Sequence, residues 1–314
     1  MRIEARAYAR LHFGFLDVAG ERGRRFGGLG LSLTAPRVNL EITPSDRLTV
    51  DGDQADRFAR LAERHHEATG LEPRARIRIL EAIPAHAGFG SGTQAALALG
   101  AGLDRLHRIE RSPEDLCAMM GRGRRSGVGF HAFRQGGLVL EAGRASSDVD
   151  PRPAPLILRH PFPDNWRIVM AVPRADRIVS GESEESAFAK VRSGARGEVD
   201  AIAGLVLMRI LPAVVERNRD AFGTALVELQ DIIGAWFAPA QGGPYHPAGA
   251  PILKALRDGG AAGVGQSSWG PLVYAFAGDD QEARRLCMLI GRTVPDAAIS
   301  VARARNRGAE IEIA

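Results

Sequence analysis

Ile83-Pro84-Ala85-His86-Ala87-Gly88-Phe89-Gly90-Ser91-Gly92-Thr93-Gln94-Ala95-Ala96 is the stretch from which the rest of the chain can be read. Three glycines fall at positions 88, 90 and 92, so the backbone there can turn tightly and meet a ligand with no side chain in between. Downstream, Leu99, Leu103 and Leu106 recur at i, i+4 and i+7, which predicts an amphipathic helix with one core-facing stripe. The glycines therefore stand at a helix start, where free N–H groups and the positive dipole end face whatever occupies the loop. An anion, most simply phosphate, is the expected occupant; the competing reading is a turn that needs glycine for geometry alone. No Lys-Ser/Thr pair follows the glycines, which separates the loop from a Walker phosphate loop. A long connection, residues 81–92, divides it from the preceding strand, which argues against a dinucleotide fingerprint.

Working outward, Ile3-Ala5-Ala7, Val38-Leu40-Ile42 and Ala75-Ile77-Ile79 alternate with polar residues and predict half-buried strands. A second helix is expected to open at Ser112-Pro113-Glu114-Asp115, with Ser as cap, Pro at the first helical position and two acids at the positive pole. Leu138-Val139-Leu140 reads as a strand. Five prolines within residues 148–164 mark the expected boundary between domains 1–155 and 156–314. Beyond it come a strand at 168–172, a long helical region at 184–236, then strand, helix and strand at 272–277, 281–290 and 298–302, with a last strand near 311–313. Strands and helices are partly segregated, which favours a two-layer α+β fold over a doubly wound sheet.

The chain's 314 residues exceed the size at which one core stops growing, and 45% hydrophobic with 25% charged residues is ordinary globular composition. Lys+Arg 41 against Asp+Glu 37 leaves a formal charge of +4, spread without a long like-charge run. Aromatic residues at 6% argue against a stacking platform for single-stranded nucleic acid. Cys117 and Cys287, far apart in helix-like segments, suit a reduced cytoplasmic protein rather than a disulfide framework. The start lacks a signal-peptide core, and the most apolar stretch, 201–215, is broken by Arg209 and Pro212, so no membrane span is expected.

Three further segments carry candidate chemistry. Arg122-Gly123-Arg124-Arg125-Ser126-Gly127-Val128-Gly129 offers guanidinium groups that clamp phosphate or carboxylate, or simply an exposed helix end. Gly263-Val264-Gly265-Gln266-Ser267-Ser268-Trp269-Gly270-Pro271 places hydroxyls, an amide and an indole between glycines, as ligand contacts or as a turn plugged by Trp269. Arg10, His12 and Asp17, followed by Arg25, put polar groups into a strand-to-loop transition. The eight histidines show no metal-ligand spacing, and His65-His66 reads as a polar helix face.

Together these segments resemble the GHMP superfamily. Pro84-x-x-x-Gly88-Phe89-Gly90-Ser91-Gly92 is similar to its phosphate-binding motif, and residues 263–271 stand in the place of its C-terminal glycine motif. Kinase members carry a serine where this chain has Gly92. The stretches Arg10–Asp17, Arg25–Leu31, Ser126–Gly129, Ser180-Gly181-Glu182 and Gln266–Pro271 resemble instead a non-kinase branch, the β-ribofuranosylaminobenzene 5′-phosphate synthases of methanopterin biosynthesis. The resemblance runs through essentially the whole chain. It implies two α+β domains, the first with a left-handed βαβ crossover and the second ferredoxin-like. It implies reaction of 5-phosphoribosyl 1-diphosphate with 4-aminobenzoate, releasing CO2 and diphosphate, with Mg²⁺ and without ATP, in a homodimer. Site residues carried over are Arg10, His12, Asp17 and Arg25 for catalysis, with Arg25 or Arg10 orienting the carboxylate. Gly88, Gly90, Ser91, Gly92, Thr93, Gln94, Gly127, Ser180, Glu182, Ser267, Ser268 and Trp269 are expected at the phosphates and substrates, and Glu182 or Asp17 at the metal. The rival expectations are an ATP-dependent GHMP small-molecule kinase and an RNA-binding protein.

Overall fold

Strand β1 (Ile3–Asp17) buries Ile3, Ala5, Ala7, Leu11 and Phe13 completely, the period-2 pattern of a strand over a core. It runs antiparallel to β2 (Arg24–Pro44), whose 21 residues form the spine of the larger sheet. The expected strand-to-loop transition at residues 10–17 is therefore a continuous strand, and residues 24–30 are strand as well. Arg10, His12 and Arg25 line one cleft, whereas Asp17 is buried at the end of β1. Register shifts between Tyr8 and Arg10 and between His12 and Gly14 locally re-aim it.

The computed structural model describes every residue except 73, 146, 148, 176–187, 189 and 192–193. After β3 (Thr49–Gly52), helix α1 (Ala55–Thr69) crosses over to β4 (Ala75–Glu81), which pairs parallel to β3 and antiparallel to β2. Helix α2 (Ser91–His107) packs its apolar face on β1 and β2. Helix α3 (Pro113–Met119) has the expected cap, Ser112 accepting from the Asp115 N–H, and α4 (Val128–Gln135) leads into β5 (Leu138–Glu141). The short β6 (Arg144–Ala145) pairs with β2, and β7 (Leu156–His160) pairs with β5, so the larger sheet continues past residue 155.

The second sheet starts with β8 (Arg167–Val172). Helix α5 (Arg196–Leu205), one π turn (Val206–Ile210), α6 (Leu211–Val215), α7 (Arg219–Gln241) and α8 (Ala250–Asp258) follow. Where the sequence suggested a long helical region at 184–236, the described part is thus divided, with a break after Val215. Then come β9 (Ala262–Gln266), β10 (Val273–Ala277), α9 (Asp280–Thr293) and β11 (Ala298–Ala302), in the order β11-β8-β10-β9. That order, fourth-first-third-second, is the ferredoxin-like arrangement. The last strand, β12 (Glu310–Ile313), returns to pair with β1. Ile168, Met170, Tyr274 and Phe276 face the core shared with the first sheet, while Val169, Ala171, Val273 and Ala275 face a smaller core under α8 and α9. Among the described residues, no helix is long and apolar enough to cross a membrane.

Candidate functional site

The glycine loop is moulded around β1. The Arg10 N–H donates to the Phe89 carbonyl at 3.0 Å, and Arg10 Nη1 donates to the Gly88 carbonyl at 2.6 Å. Gly90 has φ +76°, and a Cβ there would lie 2.9 Å from Arg10 Cζ, so both conformation and approach require glycine. Gly90 also precedes α2 without supplying a side-chain cap, and no acid stands in that helix's first turn. The start of α2 is left with N–H groups and a positive pole facing outward, as an anion site needs.

Beside this helix start opens a cleft of about 650 Å³, lined by six arginines: Arg10, Arg25, Arg64, Arg122, Arg124 and Arg125. Its other walls include His12, Phe15, Thr93, Ser126, Gly129 and Ser268, and no carboxylate lines it among the described residues. Just beyond, Arg57 Nη2 donates to Ser91 Oγ at 3.2 Å, and its pKa is lowered by burial and then by Arg122 and Arg60. Gathering guanidinium groups against a helix N-terminus is unfavourable until an anion joins them, so the arrangement favours a polyanionic guest.

At the cleft floor, His12 Nε2 lies 3.0 Å from Ser126 Oγ. Burial, followed by the charge of Arg10, pulls the His12 pKa down to about 3, which keeps the ring neutral near pH 7. Ser126 also bonds Glu141, which accepts from the N–H groups of Gly127 at 3.2 Å and Gly143 at 2.6 Å. Glu141 is completely buried, and burial pushes it up to about 7.

Of the residues expected from sequence, Arg10, His12, Arg25, Thr93 and Ser268 line the cleft together. Gly88, Gly90, Ser91 and Gly92 form the loop and helix start. Several others serve the framework. Gln94 is fully buried and donates to the Gly129 carbonyl, and the Gly127 N–H is taken by Glu141. Ser267 is fully buried, accepting from the His12 N–H at 3.0 Å and donating to the Gly88 carbonyl at 2.8 Å. Trp269 is packed edge-on against Phe188 and Phe237, with ring centroids 5.1 and 4.8 Å away. Ser180 and Glu182 lie outside the described residues. His65 is not on a polar face: it is buried and bonded to Asp104 of α2 at 2.8 Å.

The carboxylate of Asp17 accepts from the N–H groups of Gly20 at 2.7 Å and Arg22 at 2.9 Å, closing the turn that links β1 to β2. Among the described residues no group of three His, Cys, Asp or Glu side chains is placed to hold a metal ion. Reading by sequence missed Arg57, Arg64 and Glu141. Arginines at 57, 60 and 64, on one face of a helix, and a lone acid ending the apolar run Leu138–Glu141 were the available signals.

Residues 56–136 match the family described as GHMP kinases N terminal domain, and residues 210–287 match GHMP kinases C terminal. Across 96% of its length the chain is 31% identical to "Beta-ribofuranosylphenol 5'-phosphate synthase" of Methanothermobacter thermautotrophicus, covering 96% of that protein. The protein of the same name from Archaeoglobus fulgidus is 33% identical over 99% of this chain and 100% of its own. Among solved structures, homoserine kinase from Cytophaga hutchinsonii superposes with a TM-score of 0.73 at 19% identity, covering 99% of this chain and 97% of its own. Mevalonate diphosphate decarboxylase from Staphylococcus aureus does so with a TM-score of 0.66 at 14% identity, covering 99% and 98%. At those identities the structural likeness speaks for the fold alone.

Proposed function

We infer that this chain, which belongs to the β-ribofuranosylphenol 5′-phosphate synthase family within the GHMP fold, catalyses a decarboxylating phosphoribosyl transfer in methanopterin biosynthesis. The donor is 5-phosphoribosyl 1-diphosphate, entering as its Mg²⁺ complex. The acceptor is a benzoate with an electron-donating para group: 4-aminobenzoate on the sequence reading, 4-hydroxybenzoate if the product is the phenol of the relatives' name. The observation that carries this reading is the six-arginine cleft, free of lining carboxylates among the described residues, at the uncapped start of α2.

In the reaction the bond from the anomeric carbon to diphosphate oxygen breaks, and diphosphate leaves with the electron pair. The ring carbon bearing the carboxylate bonds to the anomeric carbon. The carboxylate then departs as CO2, and its bonding pair restores aromaticity, so that carbon needs no general base. Catalysis rests on stabilising the departing diphosphate and aligning two reactants. Arg122, Arg124 and Arg125 with the α2 N-terminus are suited to the phosphates, and Arg10 or Arg25 to the acceptor carboxylate. Neutral His12 is suited to flank the anomeric carbon without repelling an oxocarbenium-like transition state.

We propose that the protein works in the cytoplasm as a homodimer. The free cysteines support the first, and the exposed apolar side chains Leu207, Met208 and Val215 along one helical stretch support the second. The test is incubation of purified protein with phosphoribosyl diphosphate, Mg²⁺ and carboxyl-labelled 4-aminobenzoate or 4-hydroxybenzoate. Equal release of CO2 and diphosphate is expected with at least one acid. No release, with ADP formed from ATP and a small alcohol, would return the chain to the kinases.

A further inference from the structure

Behind the wall of the arginine cleft, Glu141 ends β5 as a completely buried carboxyl group that the transfer chemistry does not use. Three other segments meet it there. His12 comes from β1, Ser126 from the loop before α4, and Gly28 of β2 leaves the space between them. A Cβ on Gly28 would stand 3.1 Å from Glu141 Oε1, 3.2 Å from His12 Nε2 and 2.9 Å from Val128 Cγ2. Gly28 is not among the glycines with positive φ, so closeness rather than backbone conformation requires it.

Ser126 couples the two titratable groups through its count of donors and acceptors. A hydroxyl has one hydrogen to give and two lone pairs. One lone pair of Ser126 Oγ takes the Val128 N–H at 3.2 Å. Its hydrogen and its other lone pair are left for Glu141 and for His12 Nε2, 3.0 Å away. Toward one of them the hydroxyl gives, and from the other it accepts. The Glu141 oxygens already accept from the Gly127 and Gly143 N–H groups, so a proton on this carboxyl has Ser126 as its acceptor. A protonated Glu141 then gives to Ser126, Ser126 gives to His12 Nε2, and the ring hydrogen stands on Nδ1. An ionised Glu141 reverses the chain, and Nε2 carries the hydrogen. Nδ1 is the ring nitrogen left for the cleft, which the His12 ring lines.

We propose that Glu141 is a positioning residue that acts through Ser126 to set whether His12 Nδ1 gives or accepts a hydrogen bond in the cleft. The protonated carboxyl selects the giving form. Beside a polyanion a donor on Nδ1 is favourable and a lone pair is not. That guest rests on the phosphoribosyl-transfer reading; the coupling itself does not. Between the two forms one proton leaves from Nδ1, the Ser126 hydrogen passes to Nε2, and the Glu141 proton passes to Ser126 Oγ. The ring stays neutral in both. Burial, which pushes the carboxyl up to about 7 and the ring down to about 3, agrees with this assignment. Among the described residues the charged groups facing the pair are cations. Arg10 of β1, Arg25 of β2 and Arg122, Arg124 and Arg125 before α4 line the cleft with His12, and the charge of Arg144 in β6 acts on Glu141. His131 of α4, the titratable group beside Gly127, is engaged with the Ala154 carbonyl at 2.8 Å.

Nitrogen NMR reads the tautomer without any turnover. In isotope-labelled wild type, the His12 ring signals are assigned by their loss in His12→Gln. They should show the hydrogen on Nδ1 at about pH 6 and on Nε2 at about pH 8.5. Ser126→Ala should abolish this exchange, and Ser126→Thr, which keeps the hydroxyl, should retain it. The ratio of kcat/KM for phosphoribosyl diphosphate, wild type over Ser126→Ala, should fall at least threefold across the same range, substrate ionisation being common to both. A wild-type tautomer that is the same at both pH values, or an exchange that persists in folded Ser126→Ala, overturns the proposal. A flat ratio in an active protein overturns it too, because the guest then does not meet Nδ1. If Ser126→Ala fails to fold, Glu141→Gln, which has no proton to lose, takes its place, and a pH-dependent tautomer in that variant refutes the coupling. A protein that releases no CO2 still gives the NMR result, so failure of the transfer reading shows separately.

Discussion

Alanine in place of Gly92 puts a methyl group 3.1 Å from Arg122 Nη1, 3.6 Å from Arg122 Cζ and 3.8 Å from Arg57 Nη2. The tight neighbour is the tip of a flexible side chain, so the clash is relieved by Arg122 moving away rather than by strain in α2. Gly92 stands in the first turn of that helix and is not among the glycines with positive φ, so alanine meets no conformational penalty. Helix propensity favours alanine by roughly 0.5–1 kcal/mol, and thermal stability should hold or rise slightly. Binding should move the other way. A charge-assisted hydrogen bond contributes about 1.5–3 kcal/mol, so displacing Arg122 from a phosphate should weaken phosphoribosyl diphosphate roughly 10- to 100-fold. Calorimetry on Gly92→Ala, Arg122→Ala and the double variant measures this, and because both changes act through one guanidinium, the double variant should lose no more than the larger single loss. A normally melting Gly92→Ala with wild-type affinity, or fully additive losses, would refute the role given to Arg122.

Three other outcomes follow from the same geometry. Glu141, held near 7 from an ordinary 4.5 chiefly by burial, is protonated in the folded chain and ionised in the unfolded chain between those values. Its stabilising contribution is therefore complete below pH 4.5 and lost as the pH rises through 7. Over about 2.5 pH units at about 1.4 kcal/mol each, wild type should lose about 3 kcal/mol relative to Glu141→Gln, and denaturation at several pH values reads the difference; a flat difference contradicts it. His12 has the opposite sign, costing stability as pH falls from 6.5 toward 3, but it is common to both proteins and cancels. Ser267→Ala leaves the His12 N–H and Gly88 carbonyl short of a buried partner, so unfolding free energy should drop by about 1–3 kcal/mol in a denaturant titration. Affinity for phosphoribosyl diphosphate should fall steeply between about 0.05 and 0.5 M salt, since the cleft binds by charge; salt-independent binding would contradict that.

Local features were legible in the chain, and relations between distant segments were not. The glycine loop, the Ser112 cap and the β8, β10 and β11 strands depend on neighbours within a turn or a strand, and each stands where its pattern placed it. Arg10 and His12 were read as candidates but assigned to a strand end, because polar residues inside a strand imitate a loop unless the cleft they face is known. Arg57 and Arg64 reach the site from α1 only through the packing of α1 on α2. Glu141 joins His12 through Ser126, three segments that no spacing rule connects. Asp17 shows the converse: an acid in a candidate stretch whose oxygens are spent on its own turn.

The run Gln266-Ser267-Ser268-Trp269-Gly270-Pro271 shows how the two sheets and the site depend on one another. Its turn joins β9 to β10, yet its bonds leave the second sheet: Ser267 Oγ to β1 and the glycine loop, and the Ser268 N–H to the His12 carbonyl at 3.4 Å. The following Leu272 N–H donates to the Ala87 carbonyl at 3.1 Å. Phe13 continues the seam from β1, its ring 5.6 Å from Tyr274 and 6.2 Å from Phe276 of β10. The backbone of the phosphate loop is thus held from the second domain before any ligand arrives, and ordering it on binding costs little entropy. Ser268 alone of the run lines the arginine cleft, while Ser267 and Trp269 fix where it stands. A substitution at Ser267 should therefore lower stability and displace Ser268 together, whereas one at Ser268 should alter substrate affinity with little change in melting temperature. That contrast separates the residue that meets substrate from those that position it.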